Sequence, residues 1–384
     1  MPQVTDFSAS VVPTMLQDLE RVWRDSRAAR NPEYDVRAET LRAIFAEQTA
    51  DLQTELTEND GCKPVKVVWL ENGDHTVEEE NNLPANIKTS ITCDIDGPQA
   101  ASNAIEYEMN DMVKVTLKVQ DKDCGNRFTR DQKFQKLYMD KQRDLVNKMA
   151  RKMLQFVAAS AGVSQGTGYL GTYQGAGASA AEKSLLRVAP GNFNAFDFAP
   201  YVAELAEINQ LTNPFVLDGG NLRYARFNAE YQQGTPAGDA GQENHFDTLR
   251  MYRDGLNFAA ETLQNSTFVV DRGALALFMA AFFPQTPTDE IGDGYAYTQY
   301  RTPIMGLNQA FGRQIEADTT YVKKKVPVAG NTDYCETFHI WEMRLWYLPL
   351  LNPNLSVNNG TTGVLRINKD ATLTQKGTAM QKAL

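Results

Sequence analysis

Residues 129–161 hold one uninterrupted helical pattern, and its length restricts every architecture the chain can adopt. Phe134, Leu137, Tyr138, Leu145, Met149, Met153, Phe156 and Val157 recur on one stripe, with charges on the other faces. Thr129-Arg130-Asp131-Gln132 fits a capping box, in which the threonine and glutamine side chains satisfy each other's backbone amides. Gly162 is a suitable stop. About thirty residues at 1.5 Å each give a rod of roughly 45–50 Å. A compact globule of 384 residues has a diameter of only about 55 Å. One helix therefore crosses the whole body, which favours a flat or elongated molecule.

The segment before this helix changes character twice. Residues 11–31 read as an amphipathic helix carrying Val12, Met15, Leu16, Leu19, Val22 and Trp23, stopped at Asn31-Pro32. A second short helix carries Leu41, Ile44 and Phe45 and extends toward Leu52. Such a segment is either an arm that packs on a neighbour or an ordinary helical hairpin. Residues 62–120 are β-rich. Val65 to Leu70 is a strand, followed by a turn at Glu71-Asn72-Gly73-Asp74. Ile91, Cys93 and Ile95 alternate with polar residues. Val113, Val115, Leu117 and Val119 alternate strictly with Lys114, Thr116, Lys118 and Gln120, the mark of a strand with one wet face. With its long polar connections this stretch reads as an extended hairpin or ribbon.

After the long helix, residues 162–193 are rich in Gly, Ala and Ser and read as a loop. A helix follows Asp197, with Phe198, Val202, Leu205, Ile208 and Leu211 on one face. From Asn213 short strands alternate with helices. Phe215 to Leu217 and Thr267 to Val270 are buried strands, and Phe246 to Tyr252 is another. Asp218-Gly219-Gly220-Asn221 leads into a helix through about Tyr231. Asp271 is expected to cap a helix reaching Phe283, stopped by Pro284. Phe338 to Leu351 and Gly363 to Asn368 are strands. The fold class is α+β, with no internal repeat.

Chemistry is sparse. Gly166-Thr167-Gly168-Tyr169-Leu170-Gly171 matches G-x-G-x-x-G, but a dinucleotide site needs a strand before it and a helix directly after it. Here the long helix precedes it, so it reads as a loop. His75, His245 and His339 share no metal-ligand spacing, and no nucleophile elbow appears. Glu78-Glu79-Glu80 lacks the spacing of a calcium loop. Cys62, Cys93, Cys124 and Cys335 form no Cys-x-x-Cys pair. Lys323-Lys324-Lys325 reads as a solvated strand end, and Trp341, Trp346 and Tyr347 as packing residues. No catalytic, cofactor-binding or metal-binding residue is identified. The net charge of −10 disfavours a dedicated nucleic-acid binder, though not a local basic face. The longest apolar run, Ala274 to Phe283, is too short to span a bilayer.

The order of elements resembles the major capsid proteins of tailed bacteriophages, which share the HK97-like fold. It runs from a helical arm through a β-ribbon to a long capped helix, then through a Gly-rich stretch and an inserted α/β region to returning strands. Ser266 to Phe278 is similar to a strand–turn–helix often seen there. The resemblance implies an N-terminal arm over 1–61, an extended loop over 62–121, a peripheral domain over 122–212 with a spine helix at 129–161, and an axial domain over 213–331. Residues 332–384 return to the peripheral domain and form the tail. It rests on architecture and carries no short signature.

The same resemblance implies a structural protein and not an enzyme. It implies self-assembly as hexamers and pentamers into an icosahedral shell around double-stranded DNA, without sequence-specific binding, cofactor or membrane. The shell would be the virion capsid, assembled in the host cytoplasm. Scaffolding protein, portal and decoration proteins are the implied partners. No scaffold-like charged coil precedes residue 60, so a separate scaffold or a cleaved precursor is expected. A negative subunit would let the genome slide, and a basic inner face would count against that. The alternatives are an encapsulin-like compartment shell, an α+β enzyme or ligand-binding protein, and another virion part such as a tail or decoration protein.

Overall fold

The structure is a computed structural model that describes residues 38–48, 52–56, 64–70, 102–120, 130–164, 171–173, 184–194, 198–222, 250–284, 288–292, 295–304, 315–328, 331–352 and 362–373. The expected helix at 11–31, the turn at 71–74, the alternation at 91–95, Thr129, most of the Gly-rich stretches and the helix expected to run to Tyr231 lie outside these residues.

Two elements precede the main sheet: helix α1 (Glu39–Glu47) and a three-stranded sheet of β1 (Leu52–Leu56), β2 (Pro64–Leu70) and β3 (Ser102–Glu108). Next come β4 (Met112–Gln120) and the long helix α2 (Arg130–Ala159). At 30 residues α2 is about 45 Å long. Phe134, Tyr138, Leu145, Met149, Met153 and Val157 are buried along it, as the stripe predicts, and Val146, Ala150 and Leu154 widen the buried face. Gln142 also lies in this face. Its amide donates to the Tyr138 hydroxyl at 2.8 Å and to the Pro303 carbonyl at 3.1 Å, so both donors are satisfied.

The helix lies on a large antiparallel sheet. Its axis is β14 (Asn331–Leu351), flanked on one side by β13 (Glu316–Val328), β12 (Tyr295–Pro303) and β11 (Thr288–Gly292). On the other side β14 pairs with β4 along Phe338–Trp346, then with β10 (Leu275–Ala280) along Trp346–Leu351. The strict alternation read from β4 is present: Val113, Val115, Leu117 and Val119 are buried under α2 and the residues between them face water. Trp341 is fully buried at the centre, its ring centroid 4.5 Å from that of Phe134 and 5.0 Å from that of Tyr321. Burial pushes the Tyr138 and Tyr300 phenols well above their usual range.

A second sheet has the order β5-β6-β15-β9-β7-β8. Its strands are Gly171–Tyr173, Leu185–Val188, Val364–Lys369, Ser266–Val270, Phe215–Asp218 and Arg250–Arg253. Helix α3 (Phe198–Ile208) covers one face, against Leu186, Val216, Val269, Leu365 and Ile367. The alternate residues Phe215, Leu217, Phe268, Val270 and Val364 join the core beneath α2. Strands buried on both faces need continuous apolar runs, which explains Phe215 to Leu217 and Phe268 to Val270. A short helix, α4 (Gly255–Ala260), completes the body.

Four expectations are corrected. The stretch 162–193, read as a loop, holds the strands Gly171–Tyr173 and Leu185–Val188, and Leu186 and Val188 are buried in the core under α3. Asp271 does not cap a helix to Phe283; the residues after it turn and form β10. Leu275 and Leu277 join the core beneath α2, while Ala276 and Ala280 face the opposite apolar cluster. Burial on both faces leaves no alternation to read, and a short apolar run is then ambiguous between strand and helix. Leu52 starts β1 and does not extend α1. Ile208, expected on the apolar face of α3, is 42% exposed at the helix end. The β-rich stretch 62–120 also serves two sheets: β2 and β3 pair with each other, and β4 joins β14.

Candidate assembly interface

The polar residues buried in this fold act as fasteners between distant segments. Asp254 caps α4, accepting from the Asn257 amide at 3.3 Å, and also accepts from the Thr40 hydroxyl at 2.8 Å. It thereby ties α1 to α4 across 214 residues of chain. Glu47, buried at the end of α1, meets Arg250 at 2.8 Å, the Tyr252 hydroxyl at 2.8 Å and Arg272 at 3.7 Å. Desolvation first, then the bond to Glu47, raises the Tyr252 phenol. Asp218 accepts from the backbone amides of Gly220, Asn221 and Leu222 and from the Thr267 hydroxyl. Gly220 has φ +120°, a conformation other residues rarely adopt. Asp318 accepts from the Phe282 and Phe283 amides and from the Trp346 indole at 2.9 Å. These carboxylates hold structure.

Removing Asp254 tests this. Asp254→Ala is expected to cost about 2–3 kcal/mol in urea denaturation, because Thr40 and Asn257 lose an acceptor in the interior. Asp254→Asn, which keeps an acceptor oxygen, should cost less.

A second fastener closes the chain's end. Asp370 accepts from the Thr372 hydroxyl at 2.6 Å and backbone amide at 2.8 Å and pairs with Arg187. The Thr372 bonds, with Arg187 in support, hold its carboxyl below the usual value. A carboxyl lowered in the folded state stabilises above its unfolded value of about 3.9 and loses that contribution as pH falls through the folded value. Asp370→Asn should therefore flatten the stability profile below about pH 4, read as thermal midpoint against pH.

The residues singled out in the sequence do not converge. His75, His245 and Glu78 to Glu80 lie outside the described residues, as does Gly166 to Leu170. Gly171 opens a short strand. His339 is buried, its Nδ1 2.7 Å from the Tyr321 hydroxyl. Lys323 and Lys324 are exposed within β13, and Trp341 and Tyr347 pack in the core. Among the described residues no group of three or more His, Cys, Asp and Glu could hold a metal ion, and no helix is long and apolar enough to cross a membrane.

The feature that stands out is a half-covered apolar face. Val65, Val67 and Trp69 of β2 are buried against Ala276, Ala280 and Leu350 of the large sheet. In the antiparallel register Val65 stands opposite Tyr107 and Val67 opposite Ile105, so all four share one face. Yet Ile105 and Tyr107 are 44% and 38% exposed. The apolar row therefore continues past the part of the body that covers β2, and no described residue buries it. The outer edge of β3 has no strand partner among the described residues. Glu106 and Glu108 alternate with the apolar pair and charge the opposite face. The β-rich character of this stretch was legible, but which half of its face the body covers was not.

No protein-family model matches this sequence, and no curated protein matches it. Among solved structures the chain is similar to one from Mycobacterium phage Adephagia, at 12% identity, covering 85% of this chain and 93% of that one with a TM-score of 0.37. It is similar to a capsid structure of cyanophage P-SCSP1u at 9% identity, covering 84% and 90% with a TM-score of 0.37. A mature capsid of bacteriophage PhiM1 matches at 10% identity, covering 84% and 90% with a TM-score of 0.35.

Proposed function

We propose that this chain is a structural shell subunit, the major capsid protein of a tailed bacteriophage with the HK97-like fold its element order resembles. The observation that carries the reading is the half-covered ribbon: Ile105 and Tyr107 extend an apolar face beyond a body spanned by one 30-residue helix. An exposed apolar row beside an open strand edge is an aggregation hazard in a monomer and an asset in a subunit that always meets a neighbour. A second copy of the chain is the partner in this reading, repeated around hexamers and pentamers until the shell closes. The subunit works by packing and not by catalysis. Residues 1–61 then serve as the arm, 62–121 as the extended loop, 122–212 and 332–384 as the peripheral domain and 213–331 as the axial domain. The cargo is double-stranded DNA in a virion assembled in the host cytoplasm, with scaffolding, portal and decoration proteins as further partners.

The test is expression of the chain alone and with a scaffold, followed by light scattering and negative-stain microscopy. Closed particles, hexamers or pentamers support the reading. A monomer or dimer under both conditions overturns it. Protein cargo in closed particles, in place of nucleic acid, would move the assignment to a compartment shell.

A further inference from the structure

The net charge of −10 conceals one strongly basic element. Helix α2 carries eight Lys and Arg against three Asp, so it is positive by five in a chain that is otherwise negative by fifteen. Lys133, Lys136, Lys141, Lys148, Arg151 and Lys152 all lie outside the buried positions of the helix. Two of the three acids are already neutralised within the helix: Asp140 by Arg143 at 3.4 Å and Asp144 by Lys141 at 3.0 Å. The surplus lies at Lys136, Lys148 and Lys152, which are exposed. They span about 24 Å of rigid rod. Lys148 also donates to the Lys114 carbonyl at 3.1 Å, which fastens this side of the helix to β4.

We propose that the outer face of α2 is a polyanion-binding surface whose partner is the phosphate backbone of nucleic acid. Protein–protein interface cores are depleted in Lys and anchored by aromatic residues. Among the described residues, the exposed large apolar side chains are Ile105, Tyr107, Met112, Ile208 and Leu256, none of them on α2. A lysine-rich face without an apolar anchor suits a partner held by charge alone. Lys is a point charge, and contacts to phosphate carry no sequence information, so the binding is independent of sequence. An acidic protein segment is the rival, and residues 71–101 of a second copy, with seven Asp and Glu against one Lys, are the obvious candidate. The inference is a property of the subunit and stands whether or not it forms shells. In a shell, this face would turn toward the cargo, which withdraws the expectation that a negative subunit lets the genome slide.

The experiment titrates unassembled full-length chain into a short fluorescent DNA duplex and follows anisotropy. With about four phosphates neutralised, affinity should fall roughly 10²-fold between about 50 and about 200 mM salt. The double variant Lys136→Glu plus Lys148→Glu is compared with Lys323→Glu plus Lys324→Glu, which changes net charge equally on β13. The α2 pair should lose at least about tenfold more affinity than the β13 pair. Absence of duplex binding by the wild type at low salt overturns the proposal, as does equal loss in both variants. Unchanged duplex affinity with lost self-association in the α2 variant overturns it in favour of the acidic segment. Particle formation is read separately by light scattering, so failure of the shell reading is told apart from failure of this one.

Discussion

Replacing Ile105 and Tyr107 together by Asp is expected to abolish particle formation while leaving the subunit folded. Both side chains already face water in the isolated chain, at 44% and 38% exposure, so their loss removes little from the subunit's own core. Surface changes of that kind usually move stability by less than about 0.5 kcal/mol. The effect on assembly should be far larger. Docking this face on a neighbour would bury the part of each side chain still in water, worth about 1 kcal/mol apiece. Two carboxylates in their place would have to be desolvated without partners. The contact repeats at every subunit of a shell, so the defect multiplies. Size-exclusion chromatography should then find folded, unassembled chain, with urea denaturation unchanged. Particles of normal size and yield from the double variant would remove the ribbon from the assembly interface. The control is Glu106→Gln with Glu108→Gln on the opposite face, which should assemble.

The contrast between this ribbon and the long helix explains how much could be read from the sequence. The α2 stripe and the β4 alternation were legible because each element buries one face and leaves the other wet, so the period survives in the sequence. β10 was misread because its two faces are buried in different clusters. Leu275 to Ala280 then shows only that it is apolar. The fasteners were invisible for another reason. Thr40 and Asp254 are 214 positions apart, and Glu47 meets Arg250 across 203. No local pattern marks such pairs; each looks like an ordinary surface residue until the fold brings it inside. Asp218 was half legible, since Asp-Gly-Gly-Asn announces a turn although not the three amides its carboxylate accepts. The exposed row on β3 has the same origin as the fasteners. Alternation identifies which face is apolar, but whether that face meets the body or projects past it depends on where β2 lands on the large sheet.

Trp341→Ala is expected to have the largest effect on the subunit itself, about 3–5 kcal/mol in urea denaturation. The residue is fully buried where the helix, β13 and β14 meet. Phe134 of α2 packs on it at 4.5 Å and Tyr321 of β13 at 5.0 Å, with the His339 ring at 6.2 Å. Truncation would therefore empty the contact between α2 and the sheet at one point on a rod about 45 Å long. The surrounding side chains cannot all collapse into the space, because Phe134 is held by a rigid helix and Tyr321 by its strand pairing and by His339. Trp341→Phe keeps most of the ring volume and should cost clearly less. Trp346→Ala, at a partly buried position where the indole donates to Asp318 and packs on Phe282, removes a hydrogen bond and a smaller share of packing. It leaves an acceptor that still receives two backbone amides, so a cost of about 1–2 kcal/mol is expected. If Trp341→Ala were no more damaging than Trp346→Ala, the helix would not be seated on the sheet through this residue. The pairing of a long helix with the β14 sheet would then need another anchor.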